Sequence, residues 1–269
     1  MKLKDLLGID SAFMRSAKIH FAYPAPDGSN PINEFLSGSF EEWQSYQSKR
    51  NFERKHIISL ISLGQDEWLF AGIYERLDCI WLKEQKCYKY KTELKAIGDD
   101  LVGRVVVRHR KTGRQPYMYG ESCCDGLEVL EIRRNRYSIA PFPGFESTRI
   151  EFELLRAIVR NQDPSWKSAL SSVKGVYLVA DKSNGRLYVG SAYGEENLWQ
   201  RWAAYALDGH GNNVELRKAI EANGTKYALN FVFSILEIRK NTADLKEIIE
   251  RESYWKDVLL TREYGYNRN

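Results

Sequence analysis

An α+β fold in two parts is predicted for this chain: a β-rich, barrel-like domain, then a small antiparallel sheet flanked by helices. Three observations predict it. Between residues 56 and 137, five short strand-like runs follow one another with turn residues between them. Over 170–269 the pattern changes to strand, strand, helix, helix, strand, helix. Between the two, the prolines and glycine of Pro141-Phe-Pro-Gly144 interrupt any regular element.

In order along the chain, Asn30-Pro31 puts a capping residue before a proline at a first helical position. Ser39-Phe-Glu-Glu42 has the form of a capping box and predicts a helix through about Lys49. The strand-like runs are HIISLISL, EWLFAGIYERL, KCYKYKTEL, VGRVVVRHR and GLEVLEIRR. Thr148-Arg-Ile-Glu151 is a second capping box, predicting a helix through Leu154, Leu155, Ile158 and Val159 to about Asn161. The domains are accordingly set at 1–145 and 170–269, with 146–169 as connector helix and linker. In the second domain, GVYLVAD and RLYVGSA flank Asn184-Gly185, a hairpin signal. Helices follow at about 195–207 and 212–223, then the strand LNFVFSIL, then a helix from about Thr242 to Leu260.

Composition narrows the function class. The 269 residues are 43% hydrophobic and 28% charged, which is ordinary for globular proteins and excludes wholesale disorder. No run approaches the roughly 18 apolar residues that would span a bilayer, and the opening MKLKDLLGIDSAFMRSAK lacks the apolar core of a signal peptide. A cytoplasmic protein without membrane contact is expected. The net charge of +4 is spread evenly, so polyanion binding would have to come from local patches. Cys79, Cys87, Cys123 and Cys124 show no CxxC spacing, and the four histidines are isolated. Reduced thiols are expected, and no structural zinc.

The second domain carries the chemistry. In a hairpin with paired residues summing to an odd number, Tyr177 and Tyr188 project from one face. Arg201 and Tyr205 stand at i and i+4 on the first helix, where a guanidinium beside a tyrosine can clamp a phosphate or form a solvated pair. Leu245, Ile248, Ile249, Trp255 and Leu259 mark a buried stripe on the last helix, and Glu252 falls inside it. A buried carboxylate needs a cation, either an arginine or a metal ion. Asn267 closes the segment Tyr264-Gly-Tyr266-Asn267.

Gly175-Val176-Tyr177 and Tyr188-Val189-Gly190, with Arg201, Glu252 and Asn267 following in order, resemble the signature of the GIY-YIG nuclease superfamily. Each triplet departs from it only by Val for Ile at the middle position. The resemblance covers about 170–269. It implies hydrolysis of DNA phosphodiester bonds with one divalent metal, Mg²⁺ or Mn²⁺ in its place, bound by Glu252. It further implies that Arg201 holds the scissile phosphate, that Tyr177 serves as general base or proton relay, and that Tyr188 hydrogen-bonds nearby. Tyr205 stands where several members keep a histidine, which leaves the base open. His210 in the loop 208–213 is a candidate substrate contact.

The first domain resembles no named family. Its Trp68, Phe70 and Tyr74 alternate onto one face, as a core or as an aromatic cage for an extruded base. Arg104, Arg108, Arg110, Lys111 and Arg114 form a basic run, with the first three expected on one strand face as a phosphate-tracking groove. The expected whole is a Mg²⁺-dependent DNA endonuclease. Its first domain would select a sequence or modified base, in restriction or phage defence, and a homodimer on DNA would cut both strands. The alternatives are an inactive DNA-binding protein with a nuclease fold and a repair or recombination nuclease.

Overall fold

The β-branched and aromatic runs of the first domain assemble into an eight-stranded sheet in a computed structural model that describes every residue except Asp27, Thr112, Arg114, Cys124 and Asn269. The chain divides into two units, Met1–Ala25 with Asn30–Ser138 and Ile139–Asn269 with Pro26–Ser29. Among the described residues no helix is long and apolar enough to cross a membrane.

The first unit holds β1 (Ala17–Ala22), β2 (Tyr46–Gln47), β3 (His56–Gly64), β4 (Glu67–Leu82), β5 (Cys87–Leu94), β6 (Val105–Arg108), β7 (Tyr117–Tyr119) and β8 (Glu128–Ile132). Short helices α1 (Leu3–Leu6), α2 (Ser11–Arg15), α3 (Pro31–Leu36), α4 (Phe40–Ser45) and α5 (Gly120–Cys123) connect them. The strand order is β2-β5-β4-β3-β1-β7, with β6 bonded to both β4 and β8. The start of β4 pairs with β6 through Glu67–Leu69, and its end pairs with β5 from Tyr74 onward. The sheet therefore splits near Gly72, whose φ of +120° suits glycine, and curls into a half-barrel.

Several expectations change here. The strand β1 is absent from the expected runs, although all six of its residues are buried, between β3 and β7. Trp68, Phe70 and Tyr74 are core residues, at most 5% exposed, and form no cage. Val105, Val106 and Val107 are all buried, so β6 has no basic face; Arg104 precedes the strand and Arg108 ends it. Helix α4 stops at Ser45 because Tyr46 and Gln47 pair with β5. The Asn30 cap is as predicted, its side chain accepting from the Ile32 N–H at 3.2 Å.

In the second unit, β9 (Arg149–Glu151), α6 (Phe152–Arg160) and α7 (Pro164–Ser171) precede β10 (Val173–Asp181) and β11 (Leu187–Ala192). Helices α8 (Asn197–Asp208) and α9 (Val214–Asn223), strand β12 (Phe231–Lys240) and helix α10 (Leu245–Val258) complete it. The sheet is antiparallel, in the order β11-β10-β12-β9. The stretch 146–169, expected as a connector, contributes β9 to this sheet and Leu155, Ile158 and Trp166 to its core. Residues of the supposed Thr148 capping box are extended because they pair with β12; Thr148 Oγ instead donates to Gly144 O at 2.7 Å.

The two glycines of the hairpin triplets permit close approach. A Cβ on Gly190 would lie 2.4 Å from the Tyr177 hydroxyl, which crosses over it from the opposite strand. One on Gly175 would lie 2.5 Å from Glu237 O, where β10 and β12 shift register. The carboxyl-terminal segment is fastened to β11 by Asn267. Its Oδ1 accepts from Val189 N at 2.9 Å and its Nδ2 donates to Val189 O at 2.8 Å.

Asn267→Ala strands two buried backbone groups and should lower the unfolding free energy by about 1–3 kcal/mol; an unchanged urea midpoint would contradict the fastening role. His20, 3% exposed, is stacked on Tyr117 and bonded to Gln44, and burial lowers its pKa to about 4. The unfolded chain binds that proton near pH 6.5, so stability should fall as pH drops from about 6.5 toward 4, by up to about 3 kcal/mol. Urea melts of His20→Gln should lack this component relative to the parent chain; the same pH slope in both would remove His20 as its source.

Candidate active site

Packing of α8 and α10 against the hairpin creates a cavity of about 500 Å³. Its walls include Tyr188, Ser191, Tyr193, Gln200, Arg201 and Glu252. Tyr177 and Tyr188 do share a face, with ring centroids 6.5 Å apart. Their surroundings differ. Tyr188 is 8% exposed and lines the cavity, whereas Tyr177 is fully buried and does not.

Tyr177, expected as general base or proton relay, is thus set back from the cavity wall. Burial pushes its phenol well above the ordinary value, and the nearby Arg201 cation only partly opposes this. Instead, its hydroxyl accepts from Arg201 Nε at 2.8 Å and bonds the Tyr205 hydroxyl at 3.1 Å. Tyr205 is fully buried as well, outside the cavity wall, and burial raises its phenol too. Both tyrosines support the arginine.

A second support comes from the loop after α8. The helix ends on Gly209 with φ of +80°, as a left-handed cap requires. Asp208 Oδ1 then accepts from the His210 N–H at 2.9 Å and the Gly211 N–H at 2.6 Å, folding the loop back. This brings Gly211 O to Arg201 Nη1 at 2.7 Å. Two of the five guanidinium donors are thus committed to holding the side chain in place. His210 Nδ1 accepts from the Asn212 N–H at 3.0 Å, so the ring belongs to this loop and lies outside the cavity wall.

Glu252 stands opposite, on α10. Only part of the expected stripe is buried: Ile248 is, while Leu245 and Ile249 are exposed. The helix is pinned by Glu237 of β12, which accepts from Arg251 Nε at 2.9 Å and Trp255 Nε1 at 2.8 Å. The side-chain cation that Glu252 meets is a lysine rather than the expected arginine. Lys256 Nζ lies 2.8 Å from Oε1, and the Ser191 hydroxyl donates to Oε2. The Glu-to-Lys spacing of four was legible as a helix pair; Ser191, Tyr193 and Gln200 had no such signal. Asn267 is buried behind β11, away from the cavity wall.

As for a metal, no group of three or more His, Cys, Asp or Glu side chains is placed to hold one among the described residues. A single carboxylate beside a roomy polar cavity suits a hard cation that keeps most of its waters. Each carboxylate oxygen has two acceptor positions, so the Lys256 and Ser191 bonds leave Glu252 with capacity for a ligand bond.

The cations of the first unit are dispersed. Arg104 donates to Arg133 O and Asp100 O, both at 2.9 Å, which makes it a structural staple. Arg108 and Arg110 are exposed, and Arg108 pairs in register with Glu67 and Glu128. Lys111 Nζ lies 5.3 Å from the Phe21 ring and 5.4 Å from the Tyr23 ring. Arg114 lies outside the described residues.

Comparisons with known proteins bear on the second unit. Residues 173–267 match the model of the GIY-YIG catalytic domain. Over 93 residues the chain is 33% identical to "Intron-associated endonuclease 1" of Enterobacteria phage T4, covering 35% of this chain and 36% of that relative's length. Two solved structures of the catalytic domain of the intron endonuclease I-TevI, one of them a point variant, are 28% and 30% identical. Each covers 36% of this chain; 94% and 98% of those chains are matched, with a TM-score of 0.29 for both. Residues 173–267 of this chain are therefore a GIY-YIG catalytic domain, the family to which its paired tyrosines, arginine and glutamate pointed.

Proposed function

We propose that the protein is a divalent-metal-dependent DNA endonuclease, with Mg²⁺ as the ion and Mn²⁺ as a substitute. The observation that carries this reading is one cavity walled by Arg201, Tyr188 and Glu252, within the residues that match a catalytic domain. Arg201 uses its remaining N–H donors on the scissile phosphate, already oriented by Tyr177 and Gly211, so little reorganisation is needed when charge builds up. Tyr188, which lines the cavity, orients the attacking water. Tyr177 and Tyr205 act through Arg201, and Asn267 acts through β11. Glu252 holds the metal, whose charge when bound stabilises the leaving oxygen.

The first unit selects the target, a sequence or a modified base, and the biological setting is restriction or phage defence. Support comes from the arrangement: a separate compact unit precedes the catalytic match. One such site cuts one strand at a time, so a double-strand break calls for two chains on the DNA or two encounters. Comparing cleavage of phage DNAs that carry different base modifications with unmodified DNA tests the setting.

Two substitutions test the chemistry and the surface. Glu252→Gln should reduce cleavage at least about 10²–10³-fold. It also removes the carboxylate charge 2.8 Å from the buried Lys256 ammonium, so melting should come earlier. Cleavage that merely tracks the folded fraction would refute Glu252 as a participant. Arg108→Ala with Arg110→Ala should weaken binding to duplex DNA and flatten its salt dependence by up to about one counterion per lost phosphate contact. Unchanged affinity and slope would exclude these residues from the DNA surface.

A further inference from the structure

Lys256 is 4% exposed, one turn beyond Glu252 on α10, with its ammonium 2.8 Å from Oε1. Lysines are seldom so buried unless paired. The Ser191 hydroxyl engages Oε2. Both oxygens of the carboxylate therefore have a donor from the protein itself. One donor is a full positive charge that cannot move far, because its stem is enclosed.

A dication ligated by the same carboxylate would lie a few ångströms from that ammonium, with their repulsion little screened in a half-buried site. The hydroxyl and ammonium each leave their oxygen one further acceptor position, enough for single-point ligation of a largely hydrated ion. A phosphodiester in the cavity changes the balance, since its anionic oxygens offset both cations and offer further ligands.

We propose that Lys256 is a resident counter-ion of Glu252 that keeps the site's affinity for divalent metal low until a phosphodiester is bound, so that metal and DNA enter as a coupled pair. The inference rests on Glu252 being the metal ligand. The ammonium holds the carboxylate in its cavity-facing position in the free protein, and the substrate releases the electrostatic penalty on the metal. Because the coupling is reciprocal, metal tightens DNA binding by the same factor by which DNA tightens metal binding.

Mn²⁺ binding to the full chain without DNA, followed by electron paramagnetic resonance of the free ion, tests this directly. Lys256→Met removes the charge at similar length and should bind Mn²⁺ at least about 10-fold more tightly than the parent, while Lys256→Arg should stay weak. Mn²⁺ should also raise the melting temperature of Lys256→Met by more than that of the parent. Equal or weaker binding by folded Lys256→Met would overturn the proposal. A measurement on the unaltered protein guards against variants that fail to fold: a short uncleavable duplex should tighten its Mn²⁺ binding at least about 10-fold, and no change would overturn the coupling. Tight binding that persists in Lys256→Met combined with Glu252→Gln would instead show that another group ligates the metal, a failure of the underlying site reading and not of the Lys256 effect.

Discussion

The hydrogen bond from Arg201 Nε to the buried hydroxyl of Tyr177 organises the whole candidate site. A phenol placed this deep is costly unless its oxygen is bonded, and here it serves as acceptor for the guanidinium and partner for Tyr205. That requirement propagates outward. Gly190 must lack a side chain so that the hydroxyl can pass over β11, and Gly211 must approach the Tyr205 ring so that its carbonyl reaches Arg201. Tyr177 and Tyr205 thus form the frame on which this guanidinium is mounted.

Opposite Arg201, the charge balance is set by α10. Glu237 bonds Arg251 and Trp255, one on either side of Glu252 in sequence, which fixes the rotation of the helix. The same rotation buries Lys256 and exposes Leu245 and Ile249. An amphipathic helix would ordinarily bury its leucine and isoleucine. Here the ionic contacts with β12 and the Glu252–Lys256 pair compete with that tendency and prevail over part of the helix.

The first unit is built on different physics. Strands β1, β3 and the first half of β4 are buried along most of their length, so aromatic side chains that might have lined a binding site form a core around Phe70, Trp68 and Phe21. Three of its buried polar side chains form a local set, with Gln44 Oε1 bonded to both His20 and Ser59. The cations Arg104, Arg108, Arg110 and Lys111 sit at the ends of β6 and in the stretch after it, with Arg104 committed to carbonyls and Lys111 beside aromatic rings.

The sequence by itself indicated the order of strands and helices from β10 to α10 and three residues that line the cavity, Tyr188, Arg201 and Glu252. Residue spacing alone placed Tyr177 and Tyr188 on one face, because strand periodicity is a property of the backbone, and the register with Tyr177 opposite Gly190 agrees. The order of ordered motif residues sufficed to indicate the domain that matches at 173–267. What the sequence did not reveal was β1, whose Lys18 and His20 break an apolar run that is nonetheless buried on both faces. Nor did it show that 149–151 would be extended, since partner pairing with β12 outweighed a helix-start pattern. Only the tertiary structure decided which side chains reach the cavity. Burial depends on which elements are stacked above a residue, and those lie far away in the chain: α8 covers Tyr177, β11 hides Asn267, and β12 turns Glu252 toward Ser191.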